Sequence, residues 1–156
     1  MTILVSPQPQ TLRFLDTLVQ LHATHDDCGI SLLESRAPYG DSPPLHVHHT
    51  EDEAFLVLEG ELRLAVGETE LSLEAGQSTV APRGVPHTYR VESEAGARWL
   101  VATARGDFER FVRSLSRPAV GQEVPERSAP PTPEQAAALA SAAAAHGIEL
   151  VGPPLG

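Results

Sequence analysis

The sequence predicts an all-β fold of one domain, a sandwich or a barrel. Three observations carry this. Short apolar runs recur at intervals of roughly 8–12 residues, the spacing of stacked antiparallel strands. Turns bearing Gly or Pro separate them. The length, 156 residues, suits a single core.

The elements follow in order. Residues 1–11 hold Pro7 and Pro9 and read as an extended arm. Leu12–His22 is rich in Leu, Phe and Val and reads as a strand or a pair of strands. His25-Asp26-Asp27 reads as a polar turn, with His22 and His25 at the surface. Gly29–Arg36 is a strand with Ile30, Leu32 and Glu34 on one face and Ser31 and Leu33 on the other. Ala37–Pro44 is a Pro/Gly turn. Glu53–Leu58 and Leu62–Val66, joined at Glu59-Gly60, read as a hairpin. Gly67-Glu68 turns into Thr69–Leu73, Glu74-Ala75-Gly76 turns again, and Ser78–Ala81 is a short strand. His87–Val91 and Arg98–Thr103 are the last strands, with Glu92–Ala97 a loop between them.

Helical periodicity appears only afterwards. Phe108, Phe111, Val112 and Leu115 recur at i, i+3, i+4 and i+7, which predicts an amphipathic helix over 107–116 with Asp107 as its N-cap. Its apolar stripe is expected to pack outside the β core. Arg117–Pro131 carries four prolines and a glycine and reads as a linker. Thr132-Pro133-Glu134-Gln135 is a capping-box start, and the Ala-rich run after it predicts a second helix over 133–146. His146 and Gly147 suit its C-terminal end. Ile148–Val151 is an apolar segment that can dock. The expected division is 1–117 for the barrel and its helix, 118–131 for the linker and 132–156 for the C-terminal helix and tail.

Charge and composition exclude several classes. The formal net charge is −10, and all 11 basic residues are Arg. Such a chain repels nucleic-acid phosphates and anionic membranes, so neither is an expected partner. No apolar run approaches the roughly 20 residues of a membrane-spanning helix. The opening residues lack a signal-peptide pattern, and the expected compartment is the cytoplasm. Cys28, the lone cysteine, allows no intramolecular disulfide and reads as a small buried hydrophobe.

Chemistry concentrates between Gly40 and His87. Residues i and i+2 of a strand share a face, so His46 and His48 aim their imidazoles the same way. Glu53 opens the run Glu53–Leu58 on the same parity as Phe55 and Val57. His87 follows a Pro-Arg-Gly-Val-Pro turn and begins a strand. Three imidazoles and one carboxylate facing one interior would bind one divalent first-row ion per chain: Fe, Mn, Co, Ni, Cu or Zn. Four protein ligands on an octahedral ion leave two positions open. A structural zinc site would more often be Cys-rich and closed.

Other residues near this stretch read less specifically. His49 points to the opposite face. Glu51 and Asp52 read as a solvated turn, and Arg83 and Arg90 as exposed cations. Tyr89 shares the face of His87, as a pocket hydroxyl or as core packing. Phe55, Val57, Leu64 and Val91 are expected to make the pocket largely apolar, which favours an aromatic or hydrophobic organic ligand.

The two halves of this stretch fit G-x5-H-x-H-x4-E-x6-G, from Gly40 to Gly60, and G-x5-P-x-G-x2-H, from Gly76 to His87, separated by Glu61–Ala75. They resemble the two motifs of the cupin superfamily. Val91 stands where the second motif usually ends in Asn, a position that is not a metal ligand. PPLHVHHTEDEAF, VLEGEL and PRGVPHTYR are similar to small single-domain bacterial cupins of the quercetin 2,3-dioxygenase-like kind. The resemblance spans about Leu12–Leu115. It implies an antiparallel jelly-roll β-barrel, and His46, His48, Glu53 and His87 as metal ligands. It also implies Glu53 as ligand and base in a dioxygenase acting on an aromatic or enolisable small molecule; Tyr89, from the face it shares with His87, is a second candidate catalytic residue. The same ligand set serves a redox-neutral lyase, isomerase or cyclase, or a binding protein without turnover. Small cupins commonly pair, so a homodimer is expected, with the Pro-rich arm crossing to its partner.

Overall fold

A computed structural model describes residues 8–156. The part of the expected N-terminal arm before Gln8 lies outside them. The chain forms β1 (Gln10–Phe14), β2 (Thr17–Ala23), a one-turn helix α1 (His25–Cys28), β3 (Ser31–Ala37), β4 (Pro44–His48), β5 (Glu53–Glu59), β6 (Glu61–Val66), β7 (Thr69–Glu74), β8 (Ser78–Ala81), β9 (His87–Val91) and β10 (Ala97–Thr103). Then come α2 (Asp107–Leu115), the short β11 (Arg117–Pro118), α3 (Pro133–Ala144) and β12 (Ile148–Pro154). The strands make two antiparallel sheets, in the orders β11-β1-β2-β3-β10-β5-β8 and β12-β4-β9-β6-β7. This is the expected all-β jelly-roll, with a C-terminal helix.

Strand alternation works as it should. Phe55, Val57, Leu62, Leu64, Val91, Trp99 and Val101 face inward and form the main core. They account for most of the hydrophobic stabilisation, at about 1.5–3 kcal/mol per fully buried large side chain. Val57, Leu64 and Val91 are therefore buried within the wall; of the four expected pocket residues only Phe55 borders a cavity.

The expected hairpin at Glu59-Gly60 is not one. β5 pairs with β10 and β8, whereas β6 pairs with β7 and β9, so the chain changes sheets at Gly60. Gly60 has φ 80°, and a Cβ there would meet the Gly96 carbonyl at 2.6 Å. A tight Gly turn suits a crossing as well as a hairpin, and local sequence does not distinguish them. The hairpin lies one strand later, where Gly67-Glu68 joins Val66 to its partner Thr69.

Three further expectations are corrected. His25-Asp26-Asp27 is part of α1, capped by the Thr24 hydroxyl, which accepts from the Asp27 N–H. Cys28 ends that turn and is exposed, because α1 buries no residue. The N-cap of α2 is Gly106, in the left-handed conformation, and Asp107 is the first helical residue. Val112 and Phe108 of α2 pack on Leu12, Val19, Leu21 and Leu33.

α3 begins with the predicted capping box: Thr132 accepts from the Gln135 N–H, and the Gln135 side chain reaches back to the Thr132 N–H. Its buried face is small, with Ala143 packed on Phe111 and Ile148. The tail after it is a strand. β12 pairs with β4, placing Ile148 opposite His48 and Leu150 opposite His46. Among the described residues no helix is long and apolar enough to cross a membrane.

Candidate metal centre

His46 and His48 are alternate residues of β4, and His87 opens the neighbouring strand β9 directly opposite His46. Glu53 opens β5 in the other sheet. Three imidazoles of one sheet thus face one carboxylate of the other across the barrel. Each residue offers a ligand atom, and these atoms all lie within 4.8 Å of one another.

Backbone carbonyls set the histidine tautomers. His46 Nδ1 lies 2.7 Å from the Pro44 carbonyl, and His87 Nδ1 lies 3.1 Å from the Val85 carbonyl. A carbonyl only accepts, so each Nδ1 carries the proton and each Nε2 is directed to the cluster. Glu53 Oε2 stands 2.9 Å from His87 Nε2 and 3.3 Å from His48 Nε2. Among the described residues neither ring nitrogen of His48 makes a hydrogen bond, the 3.3 Å approach to Glu53 included, although both are buried.

The electrostatics follow from burial and pairing. Burial pushes the Glu53 carboxyl up, but the surrounding imidazoles outweigh it and hold the group at about 2. Burial, reinforced by His87, drives His46 down to about 4. Burial likewise lowers His48. His87 is raised, because its hydrogen bond to Glu53 overcomes its burial. Divalent ions require an ionised carboxylate and neutral imidazoles; burial holds His46 and His48 in that state, while His87 would give up its proton to an ion. The orphaned His48 nitrogens add a second fit: a buried ring nitrogen without a partner is costly unless something occupies its lone pair. These residues fit a divalent transition metal.

Residues the sequence left open or misread surround the cluster. His49 is exposed and pairs with Glu149 at 2.8 Å. Glu51, expected as a solvated turn, is only 2% exposed. Its carboxylate accepts from the backbone N–H groups of Arg105 (2.9 Å) and Phe108 (2.6 Å), and so caps α2 from another part of the chain. Helix α2 lacks a side-chain cap of its own, which Glu51 supplies. Nothing near Glu51 in sequence signals this, because its partners lie more than fifty positions away. Asp52 is exposed and accepts from the Arg83 N–H at 2.9 Å. Arg83 is exposed, as expected, whereas Arg90 is half-buried, bonded to Glu92 and stacked over Tyr39.

Tyr89 borders the cavity beside Glu53 and also packs edge-on against Trp99, with ring centroids 5.0 Å apart. Its hydroxyl donates to Asp41 at 3.1 Å. Burial and the neighbouring carboxylate hold the phenol well above its ordinary pKa. Asp41 was hidden in a Pro/Gly turn; burial pushes its carboxyl up to about 6. The cavity itself measures about 40 Å³ and is walled by apolar residues, including Phe14, Leu33, Phe55, Trp99 and Phe108.

A two-sheet jelly-roll with a three-histidine, one-carboxylate cluster inside it defines a class of small barrel proteins able to hold a metal ion. Residues 33–103 match a family model described as a cupin domain. A quercetin 2,3-dioxygenase from Bacillus subtilis (strain 168) is 34% identical over 79 residues, 51% of this chain and 23% of that protein. The chain therefore spans under a quarter of that relative. KdgF from a Halomonas species superposes with a TM-score of 0.54 at 16% identity, over 60% of this chain and 84% of that one. An oxalate decarboxylase variant from Bacillus subtilis superposes with a TM-score of 0.55 at 19% identity, over 64% of this chain and 28% of that one. At these identities the two structures speak for the fold alone. The likeness to a cupin domain thus covers residues 33–103, just under half of the chain.

Proposed function

We propose that this protein is a cupin, a metal-dependent oxidoreductase of the dioxygenase type, acting on a small enolisable molecule. The observation that carries the reading is the position of Glu53. It is the one carboxylate among the described residues lining the cavity, and it also belongs to the histidine cluster. The likeness to the curated quercetin dioxygenase supports the same class.

In this reading His46, His48, Glu53 and His87 hold a divalent ion, which supplies Lewis acidity and, if redox-active, electron exchange with dioxygen. Glu53 is ionised at neutral pH, the state needed to accept a proton from the enolisable position. Tyr89 is oriented by Asp41 and presents its oxygen to the cavity. The apolar walls keep bulk water from the reacting groups. The proposed partners are a small organic substrate and a second copy of the chain; a monomer at micromolar concentration in sedimentation removes the second.

The test is an oxygen-uptake screen over flavonols and other enolisable compounds, with metal analysis of the same preparation. Turnover that persists without oxygen assigns the site to redox-neutral lyase, isomerase or cyclase chemistry instead. Glu53→Gln is expected to retain most of the metal and lose turnover by roughly 10²-fold or more. Parent-rate turnover in that variant removes Glu53 as the base. Tyr89→Phe is expected to lower activity with metal content unchanged.

A further inference from the structure

The cavity beside Glu53 has a second polar feature, independent of the histidine cluster. Three hydroxyl-bearing residues line it: Thr17 of β2, Ser35 of β3 and Tyr89 of β9. Thr17 and Ser35 are each 7% exposed. In register, Ser35 stands between Val19 and Trp99, both of which also line the cavity. A serine side chain is only a Cβ and a hydroxyl, so a serine on this wall brings its oxygen to the cavity. The Tyr89 proton is committed to Asp41, and Thr17 lies against the Tyr89 oxygen. Ser35 takes part in no hydrogen bond with a described residue. With no such bond to satisfy it, the Ser35 hydroxyl is free to bond an occupant of the cavity.

Size and charge then narrow the occupant. An apolar cavity of about 150 Å³ takes the six atoms of a benzene ring, so about 40 Å³ takes a group of one or two heavy atoms. A phenol or flavonol ring is too large for this end of the site. Among the described residues no Arg or His lines the cavity, whereas Glu53 does, and Asp41 stands behind Tyr89. A carboxylate entering here would meet two acids and no cation, in a low-dielectric surround. A neutral oxygen needs only the hydroxyls.

We propose that Ser35, with Thr17 and Tyr89, forms a subsite for the neutral oxygenated end of a substrate, a carbonyl or hydroxymethyl group of two heavy atoms, and selects against carboxylates. This deepens the proposed function by naming the part of the substrate the barrel takes, and rests on that reading only for its link to turnover.

Formamide and formate make the test, being isosteric and differing by one charge. The full chain, as purified and after chelator treatment, is titrated with each and followed by backbone amide shifts. Formamide is expected to give saturable shifts at Thr17, Ser35 and Trp99 in both preparations, and formate none there. Ser35→Ala is expected to weaken formamide about fivefold, the scale of one neutral hydrogen bond. Ser35→Val fills the space and is expected to abolish the response, with an otherwise superimposable spectrum as the check on folding; Ser35→Ala decides alone if that variant does not fold. Absence of saturable shifts, meaning water alone in the cavity, overturns the proposal. So does formate binding at these residues as tightly as formamide, or Ser35→Ala binding as the parent does. Because the chelated protein carries the same expectation, failure of the metal reading leaves this result separately legible.

Discussion

Two polar connections of this protein look alike as sequence and behave oppositely. Thr50–Asp52 joins the metal-ligand strands β4 and β5. Residues 119–131 join β11 to α3. Both read as solvated loops. The first is tied on every side: Thr50 donates to Asp107, Glu51 caps α2, Asp52 accepts from Arg83, and the His49 N–H before it bonds the Gly147 carbonyl. The second is mostly exposed, with Val120 fully so, and is held at a few points such as Asp16 with Ser128 and Gln20 with Gln122. A loop beside a site requiring sub-ångström placement is thus fastened to three other elements, while a loop that only spans distance is not.

The largest effect expected across this contrast is at the tethered loop's edge. His48→Ala should lower metal content at least about tenfold, and its neighbour His49→Ala should leave it unchanged, as measured by elemental analysis. Equal losses would place both rings in the site and contradict the exposed His49–Glu149 pair.

Next is Glu51. Replacing it by Ala leaves two backbone donors at the start of α2 without their carboxylate. The expected destabilisation is about 2–3 kcal/mol, or about 5–10 °C in Tm. Glu51→Gln, which keeps one accepting oxygen, should lose less. A Tm within a degree of the parent for Glu51→Ala would show that the loop's burial is not structural.

A smaller effect is expected at Asp41. Its carboxyl is raised from the ordinary 3.8 to about 6, so the folded protein binds a proton that the unfolded chain has released between those values. Its contribution is present below about pH 4 and is lost as pH rises through about 6. Asp41 is mostly buried but keeps some contact with solvent, so the change is of order 1 kcal/mol after solvent screening. Thermal melts from pH 4 to pH 7 should show the parent losing stability over that range relative to Asp41→Asn. The opposite slope would contradict the assigned shift.

The smallest effect belongs to the loose connection. Glu123→Ala, exposed and without a side-chain partner among the described residues, should change stability by less than about 0.5 kcal/mol. A larger change in its denaturation midpoint would mean that this segment is fastened as the site loop is.

Sequence alone determined the strand spacing, the inward parity of Phe55 and Val57, the capping box of α3 and the common face of His46 and His48. These depend on periods and turns of a few residues, which the backbone enforces locally. It also placed Glu53 and His87 as members of the cluster through the two motifs. Tertiary structure alone decided the sheet change at Gly60, because a left-handed glycine serves a hairpin and a crossing equally well. It alone decided that Glu51 is a helix cap, that Cys28 is exposed, and that Asp41 stands behind Tyr89. It alone made the tail a strand against β4. Each of these joins groups far apart in the chain, and which distant donor meets a given carboxylate is fixed only when the two sheets close around a common core.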